Sequence, residues 1–310
     1  MLSIADIKNI ENSIKRHDAK TVALQVPEGL KTKVVGMAGD IEALSVNVLI
    51  FADPCFGACD IPDLGMKRFG CDLIVHVGHS GMVKKLALPV VYIEYFSDTD
   101  VTELLKKELD KLKDYKSIGL ATTIQHIKEI PKVRNLLEHH KKTVYVGESP
   151  IAKYPGQVLG CDPGAALNIA DKVDCILFFG TGRFHALGIA KKTDLPVLLL
   201  SLEDGRIYDL KAEQERLRKK KIILMHKFRD AKKVCIVAST KAGQMNRSVV
   251  SLKKRIEKTG KSAFIVVMDF ISQENLLGMD YDIIVNTACP RIEEDLVFDK
   301  PLINAGDIFE

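Results

Sequence analysis

One phrase occurs three times in this chain, and no other feature narrows the choice of fold as sharply. Asp72-Leu73-Ile74-Val75-His76-Val77-Gly78 is followed, at intervals of roughly a hundred residues, by Asp174-Cys175-Ile176-Leu177-Phe178-Phe179-Gly180 and Asp282-Ile283-Ile284-Val285-Asn286. Each is an aspartate and a short apolar run, the signature of a buried strand. A proline and a second apolar run come after every copy: Leu88-Pro89-Val90-Val91-Tyr92-Ile93, Leu195-Pro196-Val197-Leu198-Leu199-Leu200 and Lys300-Pro301-Leu302-Ile303-Asn304. Each copy opens upstream with another strand, Val22-Ala23-Leu24-Gln25-Val26, Ser117-Ile118-Gly119-Leu120-Ala121 or Val234-Cys235-Ile236-Val237-Ala238. Second strands are expected at 46–51, 143–146 and 263–267. Helical period lies between, as in Val249-Val250-Ser251-Leu252-Lys253-Lys254-Arg255-Ile256, apolar at 249, 252 and 256.

Continuous Val/Ile/Leu strands alternating with helices call for parallel sheets covered on both faces. We predict an α/β fold of three repeated small domains, each a four-stranded parallel sheet flanked by helices, around a central site. The repeats are bounded at 1–100, 101–205 and 206–310, and the charged, helix-patterned stretches near 98–116 and 203–231 read as amphipathic bridges between them. In open parallel sheets ligands bind outside the carboxyl ends of the strands. Residues just beyond those ends are therefore the candidates for function.

Composition sets the remaining bounds. With 310 residues, 46% of them hydrophobic, the chain can give each repeat a core, and 28% charged residues with 21 Gly and 11 Pro exclude disordered and fibrous classes. The apolar stretch 195–202 is broken by Pro196 and Ser201 and falls far short of the roughly 18 residues that span a bilayer. The first residues, Met1-Leu2-Ser3-Ile4-Ala5-Asp6-Ile7-Lys8, carry charge where a signal peptide needs an apolar run and read as a helix capped by Ser3. A cytoplasmic protein without membrane contact is expected. A net charge of +4 from 45 basic and 41 acidic residues argues against a nucleic-acid partner. The runs Lys219-Lys220-Lys221 and Lys232-Lys233 read as solvated faces.

Seven cysteines is an odd number, and a reducing compartment disfavours a disulfide framework. Three of them fall one per repeat, in loops at carboxyl strand ends: Cys59 in Asp53-Pro54-Cys55-Phe56-Gly57-Ala58-Cys59-Asp60, Cys161 in Gly156-Gln157-Val158-Leu159-Gly160-Cys161-Asp162, and Cys289 in Asn286-Thr287-Ala288-Cys289-Pro290-Arg291. Cys175 and Cys235 sit inside apolar strands and read as small core residues, as does Cys71 beside a strand. Cys55 is open between a ligand, a nearby thiol and a turn residue. Three thiolates suit a 4Fe–4S cluster with one iron left open, since such a cluster normally takes four. Zinc is the competing reading, although no close Cys-x-x-Cys pair is present.

The phrases Val26-Pro27-Glu28-Gly29-Leu30, Gly57-Ala58-Cys59-Asp60, Val77-Gly78-His79-Ser80, Gly156-Gln157-Val158-Leu159-Gly160-Cys161, Gly182-Arg183-Phe184-His185 and Ala288-Cys289-Pro290-Arg291 together resemble the archaeal diphthamide synthase family, in order and over nearly the whole chain. The resemblance implies a three-domain α/β homodimer in which Cys59, Cys161 and Cys289 hold a 4Fe–4S cluster. It implies a noncanonical radical enzyme that cleaves S-adenosylmethionine between sulfur and the aminocarboxypropyl γ-carbon. The 3-amino-3-carboxypropyl group is then added to a histidine of translation elongation factor 2, the first step of diphthamide biosynthesis, with an electron donor required. Ordinary radical S-adenosylmethionine enzymes carry Cys-x-x-x-Cys-x-x-Cys; here Cys55 and Cys59 fit two places, but Pro62 stands in the third.

For the S-adenosylmethionine pocket the candidates are Arg183, His185 and Arg291 as partners of the carboxylate, Glu28 for the ammonium or sulfonium, His79, and Gln244 in the turn Lys241-Ala242-Gly243-Gln244. Each also has a plainer reading, as a loop anchor, a first-turn helix residue or a cap. Two other functions compete with the transferase: a quinolinate synthase-like cluster enzyme, and a noncatalytic electron-transfer subunit of such a complex.

Overall fold

In the computed structural model, which describes residues 2–295 and 297–309, the three repeated phrases are the third strands of three sheets. The first sheet contains β1 (Thr21–Gln25), β2 (Asn47–Phe51), β3 (Leu73–Val77) and β4 (Val90–Ile93). The second contains β5 (Ser117–Thr122), β6 (Thr143–Tyr145), β7 (Cys175–Gly180), β8 (Val197–Ser201) and β9 (Ile207–Asp209). The third contains β10 (Lys233–Ser239), β11 (Ser262–Met268), β12 (Ile283–Asn286) and β13 (Leu302–Asn304). Their orders are β2-β1-β3-β4, β6-β5-β7-β8-β9 and β11-β10-β12-β13, one topology written three times. The strands pair in parallel except β8 with β9.

The middle sheet departs from the expected four strands. After β8 the chain turns at Gly205, whose φ of +73° is open to glycine, and Ile207 pairs antiparallel with Leu200. The expected bridging helix therefore begins later, at Lys211, where the Asp209 carboxylate accepts from the first backbone N–H.

The repeated aspartate has one job in all three copies. Asp72 Oδ2 accepts from the N–H groups of Lys20 and Thr21 at 2.8 and 3.0 Å. Asp174 Oδ2 does the same for Lys116 and Ser117 at 2.8 and 2.7 Å, and Asp282 Oδ2 for Lys232 and Lys233 at 2.8 Å each. Each carboxylate thus staples the start of the sheet's first strand to the start of its third. The bonds from these N–H groups hold all three carboxyls below the usual aspartate range.

Helices are α1 (Ile4–His17), α2 (Val34–Glu42), α3 (Asp63–Arg68), α4 (Val101–Lys106), α5 (Ile130–His139), α6 (Gly164–Leu167), α7 (Phe184–Ala190), α8 (Lys211–Asp230), α9 (Val249–Glu257) and α10 (Ile292–Asp295). Ser3 caps α1 in a capping box closed by Asp6, as its sequence predicts. Alternate strand residues enter opposite cores. Val22, Leu24, Leu73 and Val75 pack with Ile10, Met37 and Ile41, while Ala23 and Ile74 pack with Ile61, Met66 and Cys71. The third sheet divides likewise, with Val234 and Ile236 on one face and Cys235 and Val237 on the other. No helix among the described residues is long and apolar enough to cross a membrane.

By packing, the chain forms two units: Met1–Asp98 with Lys241–Gly243, which holds the first sheet, and Thr99–Thr240 with Gln244–Glu310, which holds the other two.

The strands are apolar until they end. Gln25, Thr122, Ser239 and Asn286 close β1, β5, β10 and β12, His76 stands one residue before the end of β3, and all are buried. A buried polar group is costly unless hydrogen-bonded, so these residues mark the ends at which the chain builds something other than core.

Candidate functional site

In the first unit, the loop after β2 carries Cys55 and Cys59. Its backbone is held at three points around Cys59. Asp60 N–H donates to Gly57 O at 3.0 Å, closing the turn. Gln25 Nε2 donates to Asp60 O at 2.7 Å, and Gly243 N–H donates to Cys59 O at 3.0 Å. Gly243 lies so close that a Cβ there would overlap the Cys59 backbone. Lys241 completes the attachment with an ion pair to Asp60 at 2.8 Å, both side chains largely buried. Cys59 itself remains half-buried while Cys55 is buried.

Gln25 also starts a polar chain into the sheet. Its Oε1 lies 2.8 Å from His76 Nδ1, and His76 Nε2 lies 2.9 Å from His79 Nδ1. The Asp60 carbonyl can only accept, which fixes the Gln25 amide orientation. Gln25 Oε1 must then accept from a protonated His76 Nδ1, and His76 Nε2 must accept from His79 Nδ1–H. Burial pushes His76 down to about 3, with His79 contributing, and pushes His79 down to about 4. Both imidazoles are therefore neutral at ordinary pH.

In the second unit, Cys161 sits in a tight turn where Leu159 and Asp162 exchange backbone bonds at 2.9 and 3.1 Å. The Asp162 carboxylate accepts from Ser149 Oγ and from Gly164 N–H. Upstream, Thr122 exchanges bonds of 2.9 Å with Gly156 and Val158, continuing β5 into this segment. Cys289 follows β12, and its carbonyl accepts from Asn286 Nδ2 at 2.8 Å and Ile292 N–H at 3.1 Å. Cys161 is exposed and Cys289 half-buried.

Cys161 and the loop residues Ala288, Pro290 and Arg291 line one cavity of about 290 Å³. Phe184 forms part of its wall, with the Arg291 guanidinium 4.2 Å from the ring centroid. The ring reaches this position because residue 160 is glycine; a Cβ there would run into Phe184. Lys191 also lines the cavity and pairs with buried Glu293 at 2.9 Å.

The expected site residues thus fall in different places. Arg291 lines the cavity of Cys161. Arg183 pairs with Glu213 at 3.0 Å and lies over Tyr208 at 5.5 Å. His185 stacks with Phe178 at 6.1 Å and meets Phe184 edge-on at 5.2 Å. Glu28 opens a 3-10 turn and pairs with Lys31 at 2.7 Å. His79 ends the Gln25–His76 chain, and Gln244 is half-buried in the loop after β10. Cys71, Cys175 and Cys235 are buried, the last two in strands. Lys220 and Lys221 are not simply solvated: they reach buried Glu293 and Asp307, each at 3.3 Å. Sequence reasoning overlooked His76, Phe184 and Asn286. A lone histidine inside an apolar strand was the available signal for the first.

The fold is that of an α/β protein of three repeated, mainly parallel sheets, each with one cysteine on a loop beyond a carboxyl strand end and each loop pinned by its own hydrogen bonds. The family model described as putative diphthamide synthesis protein matches residues 26–309. The 2-(3-amino-3-carboxypropyl)histidine synthase of Pyrococcus horikoshii is 33% identical over 92% of this chain and 83% of its own. That of Methanocaldococcus jannaschii is 30% identical over 96% and 85%. The crystal structure of Dph2 from P. horikoshii with a 4Fe–4S cluster superposes with a TM-score of 0.89 at 31% identity, covering 97% of this chain and 88% of that one. The chain belongs to the diphthamide synthesis family.

Proposed function

We propose that the chain is a 2-(3-amino-3-carboxypropyl)histidine synthase, which transfers the 3-amino-3-carboxypropyl group of S-adenosylmethionine to a histidine of translation elongation factor 2 by a radical route. The match of relatives bearing that name to nearly the whole chain carries this reading. The three repeats, 1–100, 101–205 and 206–310, each contribute one cluster ligand: Cys59, Cys161 and Cys289. Their loops fit the role, because these thiols are exposed or half-buried while the other four are buried, and each loop backbone is fixed by bonds that do not involve the sulfur. A 4Fe–4S cluster with three cysteine ligands keeps one iron open to substrate and, when reduced, supplies one electron.

The chain's own residues hold and orient. Arg291, set against the Phe184 face, offers a fixed fork to the methionine carboxylate. Phe184, Ala288 and Pro290 give the cavity apolar walls that limit water around a reactive fragment. Arg183 pairs with Glu213, and Glu28, the candidate for the ammonium or sulfonium, pairs with Lys31; the carboxylate role is assigned to Arg291 because it lines the same cavity as Cys161. A homodimer acting in the cytoplasm with a separate electron donor completes the proposal.

The test is anaerobic. The protein is reconstituted with iron and sulfide, reduced with dithionite and given S-adenosylmethionine, and the products are identified by mass spectrometry. 5′-Methylthioadenosine with aminocarboxypropyl products is expected, followed by a mass gain on the elongation factor's histidine when that protein is added. Intact S-adenosylmethionine over a formed cluster would overturn the proposal.

A further inference from the structure

Cys55 and His76 are absorbed by none of the roles above, His79 stands there only as a candidate for the S-adenosylmethionine pocket, and the three meet. Their ligand atoms all lie within 4.8 Å of one another, on the loop after β2 and the end of β3. The two imidazole nitrogens that face each other are 2.9 Å apart. Two Zn–N bonds of about 2.0 Å at a tetrahedral angle span roughly 3.3 Å, so the pair already stands near the edge of a metal coordination sphere. The hydrogen-bond logic is also that of a metal ligand. His76 spends its Nδ1 proton on Gln25 Oε1, and Gln25 is itself locked by the Asp60 carbonyl. His76 Nε2 is left as a lone pair aimed at His79, the arrangement in which an outer carbonyl orients a ligating imidazole.

We propose that Cys55, His76 and His79 form a binding site for a borderline-soft divalent cation, zinc foremost, with one thiolate, two neutral imidazoles and a fourth position open. The donor set selects the metal class. Imidazole and thiolate together suit zinc, whereas magnesium and calcium take oxygen ligands. Binding is balanced by one proton. The Cys55 thiol loses its hydrogen to solvent as the Zn–S bond forms, while the His79 proton moves from Nδ1 to Nε2 so that Nδ1 can ligate. No electron is exchanged. The ion ties Cys55 to β3, and because Cys55 and Cys59 share one loop, it adds a fourth restraint to the Cys59 backbone. The site is independent of the three-cysteine assignment and of the transferase reading.

The experiment uses the full chain, reconstituted anaerobically with iron and sulfide and then given one equivalent of zinc. The zinc-edge X-ray absorption spectrum reads the ion's own neighbours whatever the iron does. One sulfur at about 2.3 Å and two imidazole nitrogens at about 2.0–2.1 Å are expected. Zinc that elutes away on gel filtration, or that shows only sulfur neighbours, overturns the site and leaves a hydrogen-bonded core cluster. Cys55→Ser should lose the sulfur neighbour, and Gln25→Ala should weaken zinc affinity roughly 10–100-fold by releasing His76. A sulfur neighbour that persists in Cys55→Ser likewise overturns the proposal. Should either variant fail to fold, the unsubstituted chain's spectrum decides alone.

Discussion

At the amino end of the strands the three repeats do the same thing with the same residue: Asp72, Asp174 and Asp282 each take two backbone N–H groups and lock the first strand to the third. At the carboxyl end they diverge. Gln25 holds the Cys59 loop through the Asp60 carbonyl, Thr122 pairs its backbone with the segment leading to Cys161, and Asn286 holds the Cys289 carbonyl directly. Even the cysteine moves, following the second strand in two repeats and the third strand in the last. Where one solution recurs, it answers a demand of the fold, since every such sheet must satisfy the same strand starts. Where solutions differ, each repeat holds its own cysteine loop in its own way, which is what the proposed division of cluster ligands among the repeats requires.

Substitution should separate the two ends. The largest effects belong to the carboxyl end: Cys59→Ala, Cys161→Ala and Cys289→Ala are each expected to abolish cluster assembly and product formation while circular dichroism stays unchanged. Cys175→Ala, buried in β7, should retain the cluster. Iron and sulfide analysis decides, and a full cluster in all three loop variants would erase the distinction. Next comes Gly243→Ala, which pushes the 241–243 segment off the Cys59 backbone. A displacement of about 1 Å in a reacting group costs on the order of 10²-fold in rate, so kcat should fall by that order with little change in melting temperature. Arg291→Met should raise KM for S-adenosylmethionine roughly 10–100-fold, the equivalent of about 1.5–3 kcal/mol for a charged hydrogen bond. An unchanged KM would take Arg291 out of the pocket.

The contrast also explains what the sequence made visible. Strands and their order were legible because a strand buried on both faces must be written as an unbroken apolar run, and three copies of one order reinforce each other. The strand β9 was hidden because Ile207-Tyr208-Asp209 is too short for any period to register, and Lys211 onward reads as helix in either case. The loop cysteines could be listed from their positions after strands. The Gln25–His76–His79 chain could not, since its first bond joins residues 51 apart in sequence and depends on two strands lying side by side. The wall made by Phe184 was hidden for a different reason. It rests on what residue 160 lacks, and a missing Cβ becomes informative only when the ring that fills its place is known.

At the amino end the expected effects are smaller and of another kind. Asp72→Ala frees two partly exposed N–H groups and should cost on the order of 1 kcal/mol of stability, with kcat per folded molecule unchanged. A lost activity at full stability would mean that the repeated aspartate is not purely structural.

Acid titration sharpens the same point with the smallest signal. The folded chain binds the ionised form of all three aspartates through backbone N–H groups, so their folded values lie below the ordinary 3.8. A depressed carboxyl stabilises the folded state above its unfolded value, and that contribution fades as pH falls through the folded value. Above 3.8 the chain should therefore melt at a higher temperature than a variant with Asp72→Asn, Asp174→Asn and Asp282→Asn combined. Below it the two curves should converge, because protonation leaves the aspartates as neutral as the asparagines. Melting curves followed by circular dichroism on cluster-free protein would test this without interference from acid-labile sulfide. Curves that run parallel through that range would show that the charge on these carboxylates contributes nothing, and that the shape of the hydrogen bonds alone accounts for their recurrence.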